Sequence, residues 1–542
     1  MNSLSRRGFL AGGLALAGAG LLAACGAEGS GPSVVLVTPN GPQVDAVDAR
    51  RYRDGATRAF AHTAATGEVD LGGPTVSTWS YDGVVPGREM RVTAGDQVQL
   101  QLTNRLPQAT TVHWHGLDIR NDMDGVPDVT QSPIPPGGSF TYRYVVDGPG
   151  TYWYHPHVGV QFDHGLYGPL IVEDPHEPLS YDEDWTVVLD DWLDGVDGLT
   201  PEVVFAALRG GMSGMDGGAT PSSSTPMSGM NMPGMTTPPS TSAMSGMPMG
   251  GSPMPSSGSM PGSSAILMHA TSPLLGGDAG DVKYPYYLIN GRVPTAPVTF
   301  SSKPGRRARI RFINAGGDTA FRVALGGHRM TVVHTDGHPI KPVQADTLLI
   351  GMGERYDVLV TLADGVFPLV ALAEGKNATA LALVRTGSGA TPPATARPSE
   401  LNGALVGGSE VSQLTAASSA QLAARTVNDE IPLTLTGRMA DYSWGINGKQ
   451  YNPEVPLAVL TSGQRVRMIY TNTTTMWHPM HLHGQAFAVG GPNGPRKDTV
   501  MVLPGASVTC EFDTDNPGLW VTHCHNVYHE NAGMMGVLAY RT

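Results

Sequence analysis

An internal repeat in residue spacing constrains the fold of this chain more than any other feature. A glycine is followed nine residues later by an asparagine, and nine residues further on comes a histidine or, in the middle copy, a valine. The three sets are Gly95, Asn104 and His113; Gly305, Asn314 and Val323; and Gly463, Asn472 and His481. Equal spacings in three separate stretches predict three tandem copies of one domain.

A second spacing repeats within the same three stretches. Its glycine precedes, by five residues, a histidine in the outer copies and an apolar residue in the middle copy. The pairs are Gly150 and His155, Gly365 and Val370, and Gly518 and His523. The outer copies therefore carry histidines where the middle copy is hydrophobic, and the middle copy is interpreted as a spacer.

Each copy begins with a two-residue turn signal of the kind that joins antiparallel strands. These signals are Asp82-Gly83, Asn290-Gly291 and Asn447-Gly448. Short β-branched and aromatic runs separate turn residues, and 70 Gly and 44 Pro in 542 residues disfavour long helices. The sequence predicts an all-β protein with domains at 70–178, 179–390 and 425–542, an irregular leader at 26–69 and a linker at 391–424.

Ten of the 17 histidines lie in four short clusters, all in the outer copies. They are His113 and His115; His155 and His157; His478, His481 and His483; and His523, His525 and His529. Because alternate side chains of a strand share one face, each His-x-His pair can offer two imidazoles to one site. A lone histidine is more often structural, but four clusters located by a repeat predict metal ligands.

Cys524 lies between His523 and His525, so its side chain is expected on the opposite face of the strand. A thiolate with two imidazoles and a distant thioether is the ligand set of a blue copper electron-transfer centre. That set is supplied by His478, Cys524, His529 and Met534. The remaining imidazoles predict a cluster of several coppers shared by the first and third domains, since one tetrahedral zinc needs fewer ligands.

Two C-terminal motifs resemble those of the multicopper oxidase family: His-Pro-x-His-x-His from His478 and His-Cys-His-x3-His-x4-Met from His523. The resemblance implies three cupredoxin-like Greek-key domains, of the β-barrel or sandwich type, and four copper ions. It implies type 1 copper ligands His478, Cys524, His529 and Met534. The implied type 2 ligands are His113 and His481, and the implied type 3 ligands are His115, His155, His157, His483, His523 and His525.

As the resemblance implies, single electrons enter at the type 1 copper and pass to dioxygen at the cluster, which reduces it to water. Protons for that reaction require carboxyl groups within hydrogen-bond reach. Asp124 and Glu530 match acids on the proton route of relatives; the alternatives are a turn residue before Gly125 and a solvated surface acid. Asp498 matches an acid near the type 1 histidine that contacts metal substrates, and its alternative is a turn-stabilising role.

Residues 210–264 form a tract of Gly, Ser, Pro, Thr and Met without Lys or Arg, which predicts a mobile insertion in the middle domain. Its spaced methionines are Met212, Met215, Met227, Met230, Met232, Met235, Met244, Met247 and Met249. Soft thioethers prefer Cu(I), so the tract predicts Cu(I) capture and resembles the insertions of bacterial copper-efflux oxidases. The alternative is a flexible linker whose composition has drifted.

The leading prediction is an oxidase of Cu(I), or of Fe(II), that uses dioxygen and protects the cell from copper. A laccase acting on phenols is the rival among enzymes, and a copper-sequestering protein is the rival of another class. The complete set of ligands argues against sequestration, because storage requires no electron path. The net charge of -13 argues against a nucleic-acid partner.

The first 25 residues are predicted to be an export signal. Arg6-Arg7 and its neighbours resemble the twin-arginine signal, and Leu22-Ala23-Ala24-Cys25 resembles a bacterial lipobox in which Cys25 is acylated. The prediction is a lipoprotein on the outer face of the cytoplasmic membrane, and the alternative is cleavage nearby that yields a soluble exported protein. Only Cys510 and Cys524 follow, so no disulfide framework is expected, and Cys510 is predicted to be buried and inert.

Overall fold

The computed structural model describes residues 34–211 and 261–542. The chain divides into two units, Met1–Val35 and Leu36–Thr542, and the architecture below is that of the second. In the first unit only Val34 and Val35 are described, and both are exposed. The predicted export signal with Cys25, and the predicted Cu(I)-capturing methionines from Met212 to Met249, lie outside the described residues.

Helices are few and short among the described residues, and none of them is long and apolar enough to cross a bilayer. The α-helices are α1 (Pro42–Asp48), α2 (Pro201–Gly211) and α3 (Val527–Asn531). The 3-10 helices are Asn121–Met123, Gln161–Asp163, Ser263–Ala265, Pro273–Leu275, Ser399–Asn402 and Gly408–Gln413. The prediction of an all-β fold is confirmed.

The first domain consists of two four-stranded sheets that share one hydrophobic core. Its strands are β1 (Thr57–Asp70), β2 (Thr75–Tyr81), β3 (Met90–Thr93), β4 (Gln97–Arg105), β5 (His113–His115), β6 (Ser139–Val145), β7 (Gly150–His155) and β8 (Gly168–Glu173). One sheet has the order β2-β1-β4-β6, and the other has the order β3-β8-β7-β5. The two strands that carry the first histidine clusters are therefore neighbours at one edge of the second sheet.

The middle domain consists of two six-stranded sheets and a small ribbon. Its strands are β9 (Glu183–Trp192), β10 (Thr271–Ser272), β11 (Gly277–Asp278), β12 (Tyr286–Ile289), β13 (Val298–Ser301), β14 (Arg307–Asn314), β15 (Phe321–Leu325), β16 (Met330–Thr335), β17 (His338–Ala345), β18 (Thr347–Ile350), β19 (Arg355–Thr361), β20 (Val366–Ala373), β21 (Ala378–Arg385) and β22 (Leu405–Gly407). The sheet orders are β12-β9-β14-β19-β16-β17 and β13-β21-β20-β15-β18-β22, and β10 pairs with β11.

The third domain again consists of two sheets. Its strands are β23 (Asp429–Arg438), β24 (Ser443–Ile446), β25 (Ala458–Leu460), β26 (Arg465–Asn472), β27 (His478–Leu482), β28 (Phe487–Val489), β29 (Arg496–Lys497), β30 (Thr499–Val502), β31 (Ser507–Asp513), β32 (Leu519–Cys524) and β33 (Met535–Tyr540). The orders are β24-β23-β26-β31-β28-β29 and β25-β33-β32-β27-β30. Each domain pairs its first strand in parallel with a later one: β1 with β4, β9 with β14, and β23 with β26.

The asparagine of the sequence repeat performs the same task in all three domains. Asn104 is the second-last residue of β4, and its side-chain amide donates to the carbonyl oxygens of Gln108 and Ile134 at 2.9 and 2.8 Å. Its Oδ1 accepts from the backbone N–H of Leu106. Asn314 and Asn472 make the corresponding three hydrogen bonds after β14 and β26. The repeat exists because one amide satisfies buried backbone groups where the chain crosses between sheets.

The three predicted turn signals adopt one conformation. Both central residues of each turn have positive φ, as a type I′ turn requires, and a bridge joins the residues that flank each turn. The φ values are 55° and 74° at Asp82-Gly83, 49° and 72° at Asn290-Gly291, and 55° and 72° at Asn447-Gly448. Asparagine, aspartate and glycine tolerate this left-handed region, which is why the signal was visible in the sequence.

Two expected irregular segments contain strands instead. The predicted leader 26–69 includes most of β1. Only His62, Ala64 and Val69 of this strand are buried, so its apolar period-two pattern is weak, and pairing with β2 and β4 on both sides stabilises it. The predicted linker 391–424 contains β22, which pairs in parallel with β18. Its Ala-, Thr-, Ser- and Pro-rich composition conceals a short apolar run whose Val406 enters the core.

Candidate metal centre

The histidine-bearing strands of the first and third domains present the same cross-strand pair. His113 on β5 lies opposite His155 on β7, and His481 on β27 lies opposite His523 on β32. All four side chains are buried. In the middle domain the position that corresponds to His113 is Val323, which belongs to the hydrophobic core. The outer domains thus supply matching imidazoles, as the repeat predicts.

The two sets of histidines meet across the boundary between the domains. The ring of His113 stacks on His483 with centroids 3.7 Å apart, and the ring of His115 stacks on His481 at 3.8 Å. Potential ligand atoms converge in groups whose members lie within 4.8 Å of one another. These groups are His113, His115 and His481; His115, His155 and His525; His157, His483 and His523; His478, Cys524 and His529; and His113, Asp124 and His483.

Cys524 and its two neighbours face different groups. The Cys524 sulfur lies 3.5 Å from His478 Nδ1 and 3.7 Å from His529 Nδ1, and these two nitrogens are 3.1 Å apart. The carbonyl oxygen of Met534 accepts a hydrogen bond from the backbone N–H of Cys524, and its N–H donates to the carbonyl oxygen of His529. The Met534 side chain is buried. His523 and His525 point into two other groups. Three consecutive residues of the chain therefore connect the cysteine group to two histidine groups of the cluster.

Copper suits the donor set because the inward-facing ring nitrogens have no other partner. Nε2 of His113, His155 and His481, and Nδ1 of His115, are buried and accept or donate no hydrogen bond within the described residues. Burial lowers the pKa of His481 to about 4, so its ring is neutral and offers a lone pair. Burial raises the pKa of the Cys524 thiol, and a bound metal ion would offset this by stabilising the thiolate.

Asp124 lies between two of the stacked histidines. Its Oδ1 is 3.1 Å from His113 Nδ1, and its Oδ2 is 2.9 Å from His483 Nδ1. The carboxyl is fully buried, and burial raises its pKa above the usual value although His113 acts in the opposite direction. A buried acid that contacts two cluster histidines can hold a proton next to them, which a simple turn residue could not.

Glu530 connects the cluster to a cavity at the surface. Its carboxylate oxygens lie 3.3 Å from His523 Nδ1 and 3.6 Å from His157 Nδ1. Burial alone would raise the pKa of Glu530, but the adjacent His523 and His157 lower it overall. A cavity of about 350 Å³ is lined by Glu530, His157, Arg209 and Tyr451. Glu530 is only 9% exposed, so it is not a solvated surface acid.

Sequence comparisons agree with this geometry. Residues 63–177, 240–389 and 424–542 match sequence models that describe multicopper oxidases. A similar protein is Multicopper oxidase MmcO of Mycobacterium tuberculosis, with 47% identity over 99% of this chain and 96% of that protein. The chain belongs to the multicopper oxidase family. Such an oxidase binds four copper ions, which supply stepwise electron transfer from a reductant to dioxygen.

A further sequence relative and two solved structures are also similar to this chain. The Copper resistance protein A homolog of Pseudomonas syringae pv. tomato is 29% identical over 88% of this chain and 91% of that protein. The crystal structure of Fet3p, a multicopper oxidase that functions in iron import, matches with a TM-score of 0.69 and 22% identity over 89% and 90% of the two chains. A laccase from Botrytis aclada matches with a TM-score of 0.67 and 24% identity over 91% and 90%.

Asp498 is not where the sequence predicted it. It was expected beside a type 1 histidine, but it is buried against the cluster, with Oδ1 3.0 Å from His115 Nε2. Arg355 of the middle domain donates to both of its oxygens. The reason is strand pairing: Thr499 lies opposite His481 in the β27–β30 ladder, which carries the preceding residue to the cluster.

Asp281 occupies the place that was predicted for Asp498, although no sequence pattern pointed to it. Its Oδ2 is 2.9 Å from His529 Nε2 and accepts a hydrogen bond from the Tyr442 hydroxyl at 2.7 Å. Asp281 is 248 residues from His529, so no motif spacing connects them. The other histidine of the cysteine group, His478, is contacted through Nε2 by Thr474 Oγ1 at 2.8 Å. This contact was accessible from the sequence, because Thr474 is a polar residue only four positions before His478.

Proposed function

We propose that the oxidase uses Cu(I), with Fe(II) as a second metal substrate, and thereby protects the cell from copper. The proposed type 1 ligands are His478, Cys524, His529 and Met534. The proposed type 2 ligands are His113 and His481, and the proposed type 3 ligands are His115, His155, His157, His483, His523 and His525. Asp124 and Glu530 are proposed as the acids that deliver protons to the cluster.

The contact between Asp281 and His529 carries this proposal. The buried carboxylate lies on the side of the imidazole that faces away from Cys524, because Nδ1 of His529 faces the sulfur and Nε2 faces Asp281. Its second oxygen, Oδ1, is buried and has no hydrogen-bond partner among the described residues. Half-buried Asp278 lies three residues before it. Negative charge beside the electron-entry histidine favours a cationic reductant over a neutral phenol.

The described segments on either side of residues 212–260 are anchored in the fold, and the second of them contacts Asp281. Helix α2 ends at Gly211, directly before residues 212–260. After them, Gly262 packs against α2, since a Cβ there would lie 2.8 Å from the Val203 carbonyl oxygen. Leu267 then donates its backbone N–H to the carbonyl oxygen of Asp281 at 2.7 Å. These anchors support the proposal that captured Cu(I) is released close to Asp281, because a short path favours transfer.

We also propose export by the twin-arginine route and a lipid anchor on Cys25, which would hold the oxidase on the outer face of the cytoplasmic membrane. The motifs at Arg6-Arg7 and Leu22-Ala23-Ala24-Cys25 support this proposal. The names of relatives that are copper resistance proteins support a role in copper tolerance. Other relatives are named laccases, so oxidation of phenols is the competing function that the experiments below distinguish.

Deleting residues 212–260 should lower kcat/KM for Cu(I) by at least about tenfold at low Cu(I), because thioethers that concentrate the ion are removed. Oxidation of a phenol should be unchanged or raised. The measurement is kcat/KM for both substrates in intact and deleted holoenzyme. A matched control keeps the tract and replaces its methionines by leucine. Equal changes for Cu(I) and phenol would contradict selection of copper by the tract.

Replacing Asp281 by asparagine should lower kcat/KM for Cu(I) and Fe(II) by about tenfold or more, while phenol oxidation is maintained. Asparagine still accepts a hydrogen bond from His529 but removes the charge that attracts a cation. Asp190→Asn is the matched control, because Asp190 is also buried and also accepts a tyrosine hydroxyl, that of Tyr167. A parallel fall for phenol and metal ions would show that Asp281 affects the type 1 copper rather than substrate choice.

A further inference from the structure

A buried arginine of the middle domain joins all three domains behind the copper cluster. Arg355 begins β19 and is fully buried. Its Nη1 and Nη2 donate to the two oxygens of Asp498, in the third domain, at 2.7 and 2.6 Å. Its Nε donates to the carbonyl oxygen of Thr151, on β7 of the first domain, at 3.0 Å. One guanidinium therefore determines where Asp498 lies relative to both outer domains.

Asp498 in turn determines which nitrogen His115 presents to the cluster. Paired with a guanidinium through both oxygens, the carboxylate is ionised and can only accept hydrogen bonds. Its Oδ1 lies 3.0 Å from His115 Nε2, so that nitrogen carries the proton. The lone pair is then on Nδ1, which is buried without a partner among the described residues. His115 belongs to the group with His155 and His525 and to the group with His113 and His481.

The turn before Arg355 also contacts the cluster directly. Gly353 has φ of +83°, and a Cβ at this position would lie 2.9 Å from Cδ2 of His525 and 3.0 Å from Cε1 of His115. Only a glycine allows the backbone to approach two imidazole rings so closely. The middle domain is therefore more than the spacer that its apolar repeat positions predicted, because its backbone forms one wall of the site.

Further charged groups surround Arg355, and Asp336 Oδ1 lies 3.8 Å from its Nη1. Asp336 accepts the backbone N–H of Arg355 at 2.8 Å, and its carboxylate lies 3.1 Å from Lys497 Nζ. Glu354 lies at the same distance from that ammonium group. All of these side chains are fully buried. The guanidinium is thus packed among fixed partners, and its position is set by the docking of the middle and third domains.

We infer that Arg355 is a positioning residue for the type 3 copper site: through Asp498 it fixes the tautomer and orientation of His115. The inference rests on the proposed ligand assignment, in which His115 binds a type 3 copper. Partners of metal ligands of this kind contribute about 10- to 100-fold to metal affinity. Among the hydrogen bonds that the Asp498 carboxylate makes with described residues, only those from Arg355 reach both oxygens. The other partners, His115 and Thr499, each contact Oδ1 alone.

The test compares Arg355→Met with Arg309→Met. Arg309 is equally buried, lies in the same sheet and donates through Nε and Nη2 to Asp357, which is not in any ligand group. Holoenzymes are titrated with a Cu(I) chelator after reduction, and the copper retained per chain is measured with the EPR-visible fraction after reoxidation. Arg355→Met should lose cluster copper at about 10- to 100-fold lower chelator concentration and show more EPR-visible copper. Arg309→Met should match the wild type.

Unfolding of the copper-free variants separates positioning from stability. Arg355→Met leaves the buried Asp498 carboxylate without its cation, whereas in Arg309→Met Asp357 keeps Arg311 at 3.3 Å, so the larger loss of Tm is expected for Arg355→Met. In the double variant Arg355→Met/Asp498→Asn the buried charge is absent, so Tm should recover while copper retention remains low. Wild-type retention in the double variant, or equal copper loss in Arg355→Met and Arg309→Met, would overturn the inference. Absence of cluster copper from the wild-type enzyme would instead overturn the proposed ligand assignment.

Discussion

Cys524→Ser is expected to abolish the blue absorption of the holoenzyme and reduce its oxidase activity to background, while cluster copper is retained. The thiolate is the ligand that makes a blue copper centre, and a hydroxyl cannot replace it. Cys524 also lies between His523 and His525, so its loss removes the shortest covalent path from the type 1 copper to the cluster. Absorption spectra, copper content and oxygen consumption of the purified variant provide the measurement.

Cys510→Ser is the matched control for this experiment. Cys510 is the other cysteine of the described residues; it is free and buried on β31, as predicted, and burial raises the pKa of its thiol. It belongs to none of the ligand groups, so its replacement should leave colour and activity intact. Blue absorption that persists in Cys524→Ser, or disappears in Cys510→Ser, would contradict the type 1 assignment.

Asp124→Asn is expected to lower kcat by about 100-fold or more, while the enzyme still binds copper and accepts electrons. A positioned general acid typically contributes about 10²–10⁴-fold, and the amide cannot deliver a proton. Its single side-chain oxygen can still accept from His483 Nδ1, while His113 Nδ1 keeps its contact with the backbone carbonyl oxygen of residue 124 at 3.0 Å. The rate of oxygen consumption should therefore fall, whereas anaerobic reduction of the type 1 copper should keep its wild-type rate.

Asp122→Asn provides the comparison for Asp124→Asn. Asp122 lies in the same 3-10 turn, but its carboxylate pairs with Arg120 and contacts no cluster histidine. Its replacement should leave kcat within about twofold, since partly exposed ion pairs contribute little. If Asp124→Asn turned over like the wild type from acid to neutral pH, Asp124 would be a structural partner of the two histidines and not a proton donor.

The repeated turns and the repeated asparagine contacts were predictable because they depend on local spacing. The repeated Gly, Asn and turn residues each interact with groups within about 35 residues along the chain. Asn104, for example, donates to the carbonyl oxygens of Gln108 and Ile134. The leader and linker were predicted less well. β1 and β22 have weak apolar patterns, and both are strands only because sheet neighbours supply hydrogen bonds.

The sequence by itself determined which residues are ligand candidates, because the histidine clusters lie at positions that the internal repeat fixes. Strand alternation accounts for His113 and His115, which share one group, whereas His523 and His525 enter different groups and His525 follows the end of β32. The tertiary structure alone decided the partners of those ligands. Asp498 meets His115 across 383 residues, and Arg355 meets Asp498 across 143. Such contacts depend on how three domains dock, and docking is set by the summed packing of their surfaces rather than by any local pattern. For that reason the acid beside His529 was assigned wrongly from sequence.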